Sequence, residues 1–252
     1  MKYVLDSHTH TIASGHAYST IHEMAQEASR KGLQLLGITE HSMRLPGACH
    51  EFYFQNLKVL RRQMYGIEVL FGAEVNIMDE RGTLDMEERL LKQMDVVIAS
   101  LHTPCIRPGT RKQNTDACIH AMENPYVNII GHPDDSRYPL DYDALVRAAK
   151  EHEVLLELNN SSYQPEGSRE NPMPNDLKML ELCMKYQVPI ILGSDAHTQE
   201  DVGNHRELDG LLEQTGFPEE LVVNRSVEEY KKYINRYRHG RGQGKGGNSS
   251  LQ

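Results

Sequence analysis

Short runs rich in Leu, Ile and Val recur along the chain, each followed by a longer stretch in which apolar positions return every three to four residues. The runs lie near residues 2–7, 34–39, 67–75, 95–100, 127–131, 153–159 and 188–193. Strands alternating with helical stretches predict repeated βα units around a parallel sheet. The expected fold is therefore α/β, a closed or nearly closed barrel of seven strands. The first helix is the best marked: Thr20 with Glu23 forms a capping box, Ile21, Met24, Ala25 and Ala28 make an apolar stripe, and Gly32 ends it. Further helices are expected at 51–65, 84–93, 113–123, 140–152, 173–187 and 205–214, and a last one in SVEEYKKYINRYR, capped at Ser226.

A chain of 252 residues can form one α/β barrel. One domain over 1–238 is expected, followed by a Gly- and Ser-rich tail, 239–252, too polar to order itself. No apolar run approaches the roughly 18 residues of a membrane span, and the first residues carry no secretory pattern, so a cytoplasmic protein is expected. Cys49, Cys105, Cys118 and Cys183 are widely spaced, with no C-x-x-C pair, which indicates neither a redox motif nor a thiolate zinc site. A formal charge of −9 disfavours stable nucleic-acid binding, which rests on Lys and Arg neutralising phosphates.

The 13 histidines change the picture. Alone, any one of them reads most simply as a structural side chain, but here they gather where the apolar runs end. His8 and His10 follow the first run, with His16 in the loop beyond. His41 follows LLGITE, Glu74 lies in FGAEVNI, His102 closes VVIASLH and His132 closes NIIGH. Asp195 and His197 close IILGSDAH. Taking His10, His41, Glu74, His102, His132, Asn159 and His197 as markers, successive gaps run from 27 to 38 residues. A βαβ unit takes roughly 30 residues, so each step returns to the same end of the barrel, the face that carries active sites in such folds. Nine candidate ligands exceed the roughly four that one zinc ion accepts, so more than one ion is implied. His22, His50, His120, His152, His205 and His239 fall outside the pattern.

These motifs, HTH followed by His16, then TEHS, GAEVN, SLH, GHP and GSDAH in order, resemble the PHP (polymerase and histidinol phosphatase) superfamily, in its compact YcdX-like phosphatase branch. The resemblance implies a distorted seven-stranded (β/α)7 barrel with three divalent ions at the C-terminal rim. His8, His10, Glu74 and Asp195 would hold one, Glu74, His102 and His132 a second, and His16, His41 and His197 the third. Zinc is the leading expectation, with manganese or iron as alternatives.

Such a cationic pocket on an acidic protein suits a small phosphorylated substrate. The expected reaction is phosphate ester hydrolysis by a metal-bridged hydroxide, with Glu74, Asp195 and His197 as catalytic residues. Ser194 reads as a hydrogen-bonding neighbour and not as a nucleophile. Arg107, Arg111 and Lys112, in the loop beyond His102, are candidate phosphate contacts, and Asn159 and Asn160 candidate contacts at the sixth strand end. Within this class, histidinol phosphate, a phosphodiester or a nucleotide are alternative substrates. An amidohydrolase-like barrel also begins with H-x-H, but His16, the TEH motif and the missing eighth strand speak against it. A metal-binding regulatory domain without catalysis is the reading of another class.

Overall fold

Seven strands lie parallel, with helices packed on their outer side, in the computed structural model, which describes residues 1–165 and 167–238. The strands are β1 (Leu5–Asp6), β2 (Leu35–His41), β4 (Ile67–Asn76), β5 (Val97–Ser100), β6 (Ile129–Ile130), β7 (Leu155–Asn159) and β8 (Ile190–Gly193), adjacent in that order. A two-residue strand, β3 (Gln63–Met64), pairs antiparallel with β4. The helices are α1 (Ile21–Arg30), α2 (Glu51–Asn56), α3 (Glu88–Leu91), α4 (Arg111–Met122), α5 (Tyr142–His152), α6 (Met173–Tyr186), α7 (Arg206–Thr215), α8 (Val227–Lys231) and α9 (Asn235–Arg238). The expected tail and His239 lie outside the described residues. No described helix is long and apolar enough to cross a membrane.

The seven-stranded expectation holds, and the α1 capping box is present as read. The helix expected at 51–65 is cut short. Its chain turns at Tyr65 and Gly66, both with positive φ of 49° and 83°, a backbone that matches a tight hairpin between β3 and β4. The helix expected at 84–93 shrinks to α3. The residues before it are used otherwise: Leu84 bridges Ile77, and the Asp85 carboxylate accepts from Asn76 and Ser42. The last helix starts at Ser226 as expected but breaks into α8 and α9, since Asn128 draws the Tyr233 carbonyl and the Asn235 side chain inward.

Apolar side chains form two layers. The inner one joins Leu5, Leu35, Leu70, Ile98, Ile129, Leu155 and Ile191 within the barrel, closed at its base by Tyr230 and Ile234. The outer one lies between strands and helices.

The seam between first and last strands is closed by two devices. At the C-terminal rim Thr9 and Ala196 form a parallel bridge, with His10 N–H donating to the Ala196 carbonyl at 2.9 Å and Asp195 N–H to the His8 carbonyl at 2.9 Å. Lower down the fully buried Asn224 side chain stands in for a strand: it accepts from Leu192 N–H at 2.8 Å and donates to the carbonyls of Leu192 (2.8 Å) and Leu5 (3.3 Å). Both devices pair backbone groups that would otherwise be left without partners.

Candidate metal centre

The strand period of two delivers the site. His41 and Glu74 are register partners at the ends of β2 and β4, and Ser100 pairs with Asn76 at the end of β5, two residues before His102. Glu74 is almost fully buried, and its two carboxylate oxygens face different groups of histidines. Oε2 lies 2.7 Å from His41 Nδ1, 3.4 Å from His8 Nε2 and 3.5 Å from His10 Nε2. Oε1 lies 2.9 Å from His132 Nε2 and 3.3 Å from His102 Nε2. Asp195 Oδ1 is 3.2 Å from His10 Nε2 and 3.6 Å from both His8 Nε2 and His197 Nδ1. The His16 ring stacks on His41 and tilts over His197, with centroids 4.8 and 4.9 Å apart. All nine candidate ligands thus meet in one contiguous cluster.

The donor set suits divalent ions. Three triples, His8/His10/Glu74, His41/Glu74/His102 and His10/His41/His197, each bring donor atoms within 4.8 Å of one another. The Nε2 atoms of His8 and His10 face each other at 3.1 Å. Asp195 Oδ1 is buried with no hydrogen-bond partner, an expensive state for a carboxylate oxygen unless a cation satisfies it. Charge states agree. Burial, then the charges of His41 and His197, holds His10 well below the ordinary histidine range, and burial pushes His41 down to about 4. Burial also lowers His132 and, with His197, His16. Burial alone would raise both carboxyls, yet His102, His8 and His41 hold Glu74 well below its usual range, and His8 and Arg169 do so for Asp195. His8 is the exception: burial would lower it, but Glu157, Asp195 and Glu74 hold it well above. Neutral imidazoles beside ionised carboxylates are the forms that bind metal.

Several neighbours escaped the sequence reading. Asn76 Oδ1 accepts from His102 Nδ1 at 2.7 Å and is itself held by Asp85. Ser14 Oγ contacts His10 Nδ1 at 3.1 Å and donates to the buried Glu40. Glu157 lies beneath His8. Arg169 Nη2 pairs with Asp195 Oδ2 at 2.8 Å and Nη1 reaches Asn159 Oδ1 at 3.2 Å. Asn76 and Glu157 had a signal: each falls two residues from a rim position on its strand, hence on the same face. His132 and Asp195 are non-glycine residues with positive φ, 32° and 52°. Such backbones cost about 1–3 kcal/mol each and persist where surroundings fix them.

Residues 6–165 match the PHP domain. The chain belongs to the PHP domain family. It is 47% identical over 234 residues to a probable phosphatase of Clostridium novyi, covering 93% of this chain and 95% of that one. A probable phosphatase of a Thermoanaerobacter species is 48% identical over 235 residues, covering 93% and 95%. In fold it is similar to the histidinol phosphate phosphatase of Lactococcus lactis, whose crystal structure holds zinc, L-histidinol and phosphate, with a TM-score of 0.58, 20% identity and coverage of 86% and 95%.

In this PHP domain His16, His41, His102, His132, Asp195 and His197 line a cavity of about 490 Å3 open to solvent, together with Leu45, Pro46, Leu101, Arg137 and Arg169. Arg107 lines a separate cleft with Asp79, Glu80 and Gln113, and the exposed Arg111 begins α4. Neither reaches this cavity, and Lys112 pairs with Asp116 at 2.5 Å. Asn159 is fully buried, its side chain amide directed at Glu157 and Asp195, and Asn160 caps the Glu207 N–H. Ser194 is buried with its hydroxyl donated to Asp6.

Proposed function

We propose that this PHP domain is a metal-dependent phosphatase that hydrolyses small phosphate esters at a trinuclear centre. The observation that carries the reading is the split of Glu74, whose two oxygens face separate histidine groups, as a carboxylate shared between two ions would. His8, His10 and Asp195 would complete one ion, His102 and His132 a second, and His16, His41 and His197 a third, with zinc first and manganese or iron next. When bound, such ions supply Lewis acidity and water that ionises near neutral pH.

The remaining work falls to the chain. Asp195 and Glu74 stay ionised and hold cationic charge at the cavity floor. His197, part-exposed at the rim, lies where a phosphoryl oxygen would enter. Arg169 and Arg137 line the same cavity, Arg169 held by Asp195 and Arg137 by Asp135, and bring positive charge suited to a dianionic phosphate. Leu45, Pro46 and Leu101 give the leaving group an apolar side that limits water. The open cavity favours catalysis over a purely structural metal site. The likeness to the Lactococcus enzyme makes L-histidinol phosphate the first named substrate to try, with phosphodiesters and nucleotides beside it.

The test is hydrolysis of an aryl phosphate and a diester analogue by protein with metal quantified before chelation, after it, and after zinc, manganese or iron readdition. About three ions per chain, with phosphate release lost and regained together with them, is the expected result. A metal-filled protein inert towards every ester would sink the phosphatase, and one ion or none would sink the cluster.

A further inference from the structure

Glu157 sits on β7 inside the barrel, 1% exposed, one strand step below Asn159. Its carboxylate joins the segments that follow β1 and β6 to its own strand. Oε1 lies 2.7 Å from His8 Nδ1, while Oε2 accepts the backbone N–H of His132 at 2.9 Å and the amide of Asn159 at 3.0 Å. That same Asn159 amide lies 3.3 Å from Asp195 Oδ2. The barrel is hollowed to admit it. A Cβ on Gly193 would stand 2.0 Å from Oε1, and one on Gly131 would meet Ser100 Oγ at 2.3 Å with Oε2 at 3.6 Å. Gly193, at the end of the neighbouring β8, therefore leaves the space that the Glu157 carboxylate fills, while Gly131, just beyond β6, makes room for Ser100.

We infer that Glu157 is the positioning residue of the centre, setting two ligands that belong to different ions. Accepting from Nδ1–H commits His8 to the tautomer whose Nε2 lone pair points at Glu74 and His10. Accepting from the His132 N–H fixes a backbone that a non-glycine residue adopts only under constraint, and so aims the His132 ring at the other oxygen of Glu74. One carboxylate has the lone pairs for both tasks. A glutamine of the same size does not: its oxygen serves one donor, and its NH2 then faces the other. The inference rests on the metal-centre reading above, and its test reads metal and tautomer, not turnover.

Glu157→Gln and Glu157→Asp are compared with wild type after zinc loading and dialysis against a graded series of zinc–chelator buffers, with metal counted per chain. E157Q is expected to hold at least one ion about 10- to 100-fold more weakly. E157D, which keeps the charge at shorter reach, should fall between. In 15N-histidine-labelled, zinc-loaded protein, the long-range 1H–15N spectrum should show His8 protonated at Nδ1 in wild type and altered in E157Q. A residue that only supports the fold would instead lower the melting temperature of the metal-free protein and leave the chelator midpoint in place. Unchanged zinc affinity in E157Q, or in E157D should E157Q not fold, overturns the positioning role. A wild-type chain that takes up no zinc overturns the reading beneath it.

Discussion

Asn224→Ala tests whether a single side chain closes the barrel. In the wild type its amide supplies three hydrogen bonds across the seam, two of them at 2.8 Å to the N–H and carbonyl of Leu192. Alanine removes all three and is too small for another polar group to take their place. The Leu192 N–H is then a buried donor with no partner, and the carbonyls of Leu192 and Leu5 each lose a donor. A buried unsatisfied group costs about 1–3 kcal/mol, so the loss should total about 2–5 kcal/mol. For a domain of this size roughly 2–4 °C accompanies each kcal/mol, which gives a fall of roughly 4–20 °C in melting temperature. Urea unfolding of metal-free protein, followed by circular dichroism, measures it with m checked for constancy. Asn224→Asp should cost more, because it places a carboxylate against two carbonyl oxygens. A loss below about 1 kcal/mol in N224A would refute the argument and leave the rim bridge at Thr9 and Ala196 as sufficient closure.

Metal-free protein should lose stability on acidification from about pH 6.5 to 4. His41, held near 4 by burial against 6.5 in the unfolded chain, takes up its proton only on unfolding in that window, worth roughly 3 kcal/mol. His10 and His132 act in the same direction and the raised His8 opposes them, so a melting temperature that rises as pH falls would contradict these assignments. Asn76→Ala removes the acceptor of His102 Nδ1 and should weaken metal retention about 10-fold or more, read by chelator competition; an unchanged midpoint would clear Asn76 of that role. Arg107→Ala should leave kcat/KM for an aryl phosphate within about twofold, whereas Arg169→Met should lower it at least about tenfold. The reverse order would place the substrate outside the cavity described here.

Much of this architecture could be read from the chain before folding because most of the ligands lie at or near the end of an apolar run. His41, Glu74, His102 and His132 needed only the strand pattern and the βα spacing to be placed on one rim. What escaped depends on three-dimensional partners. Asn224 lies in a short turn with no strand pattern around it, and only the meeting of β1 with β8 gives it a task. Arg169 and Arg137 come from loops whose paths periodicity does not encode, whereas Arg107 and Arg111 drew attention by lying beside His102 in sequence. The helix expected at 51–65 failed because helical spacing of Phe54 and Leu57 continues into residues that turn back as a hairpin. Glu157 was legible in principle: a charged residue inside LLELNN, in step with Asn159, has no reason to be there without a partner.

The cluster draws its side chains from both the beginning and the end of the barrel's strand order, His8 and His10 after the first strand and Asp195 and His197 after the last. During synthesis the first histidines leave the ribosome long before their partners exist. On the proposed reading, no intermediate chain length can offer the complete ligand set, so filling of the whole centre must follow the emergence of β8. The metal acquired then reflects whichever ion the finished protein meets first in usable amount, as much as the preference of its imidazoles.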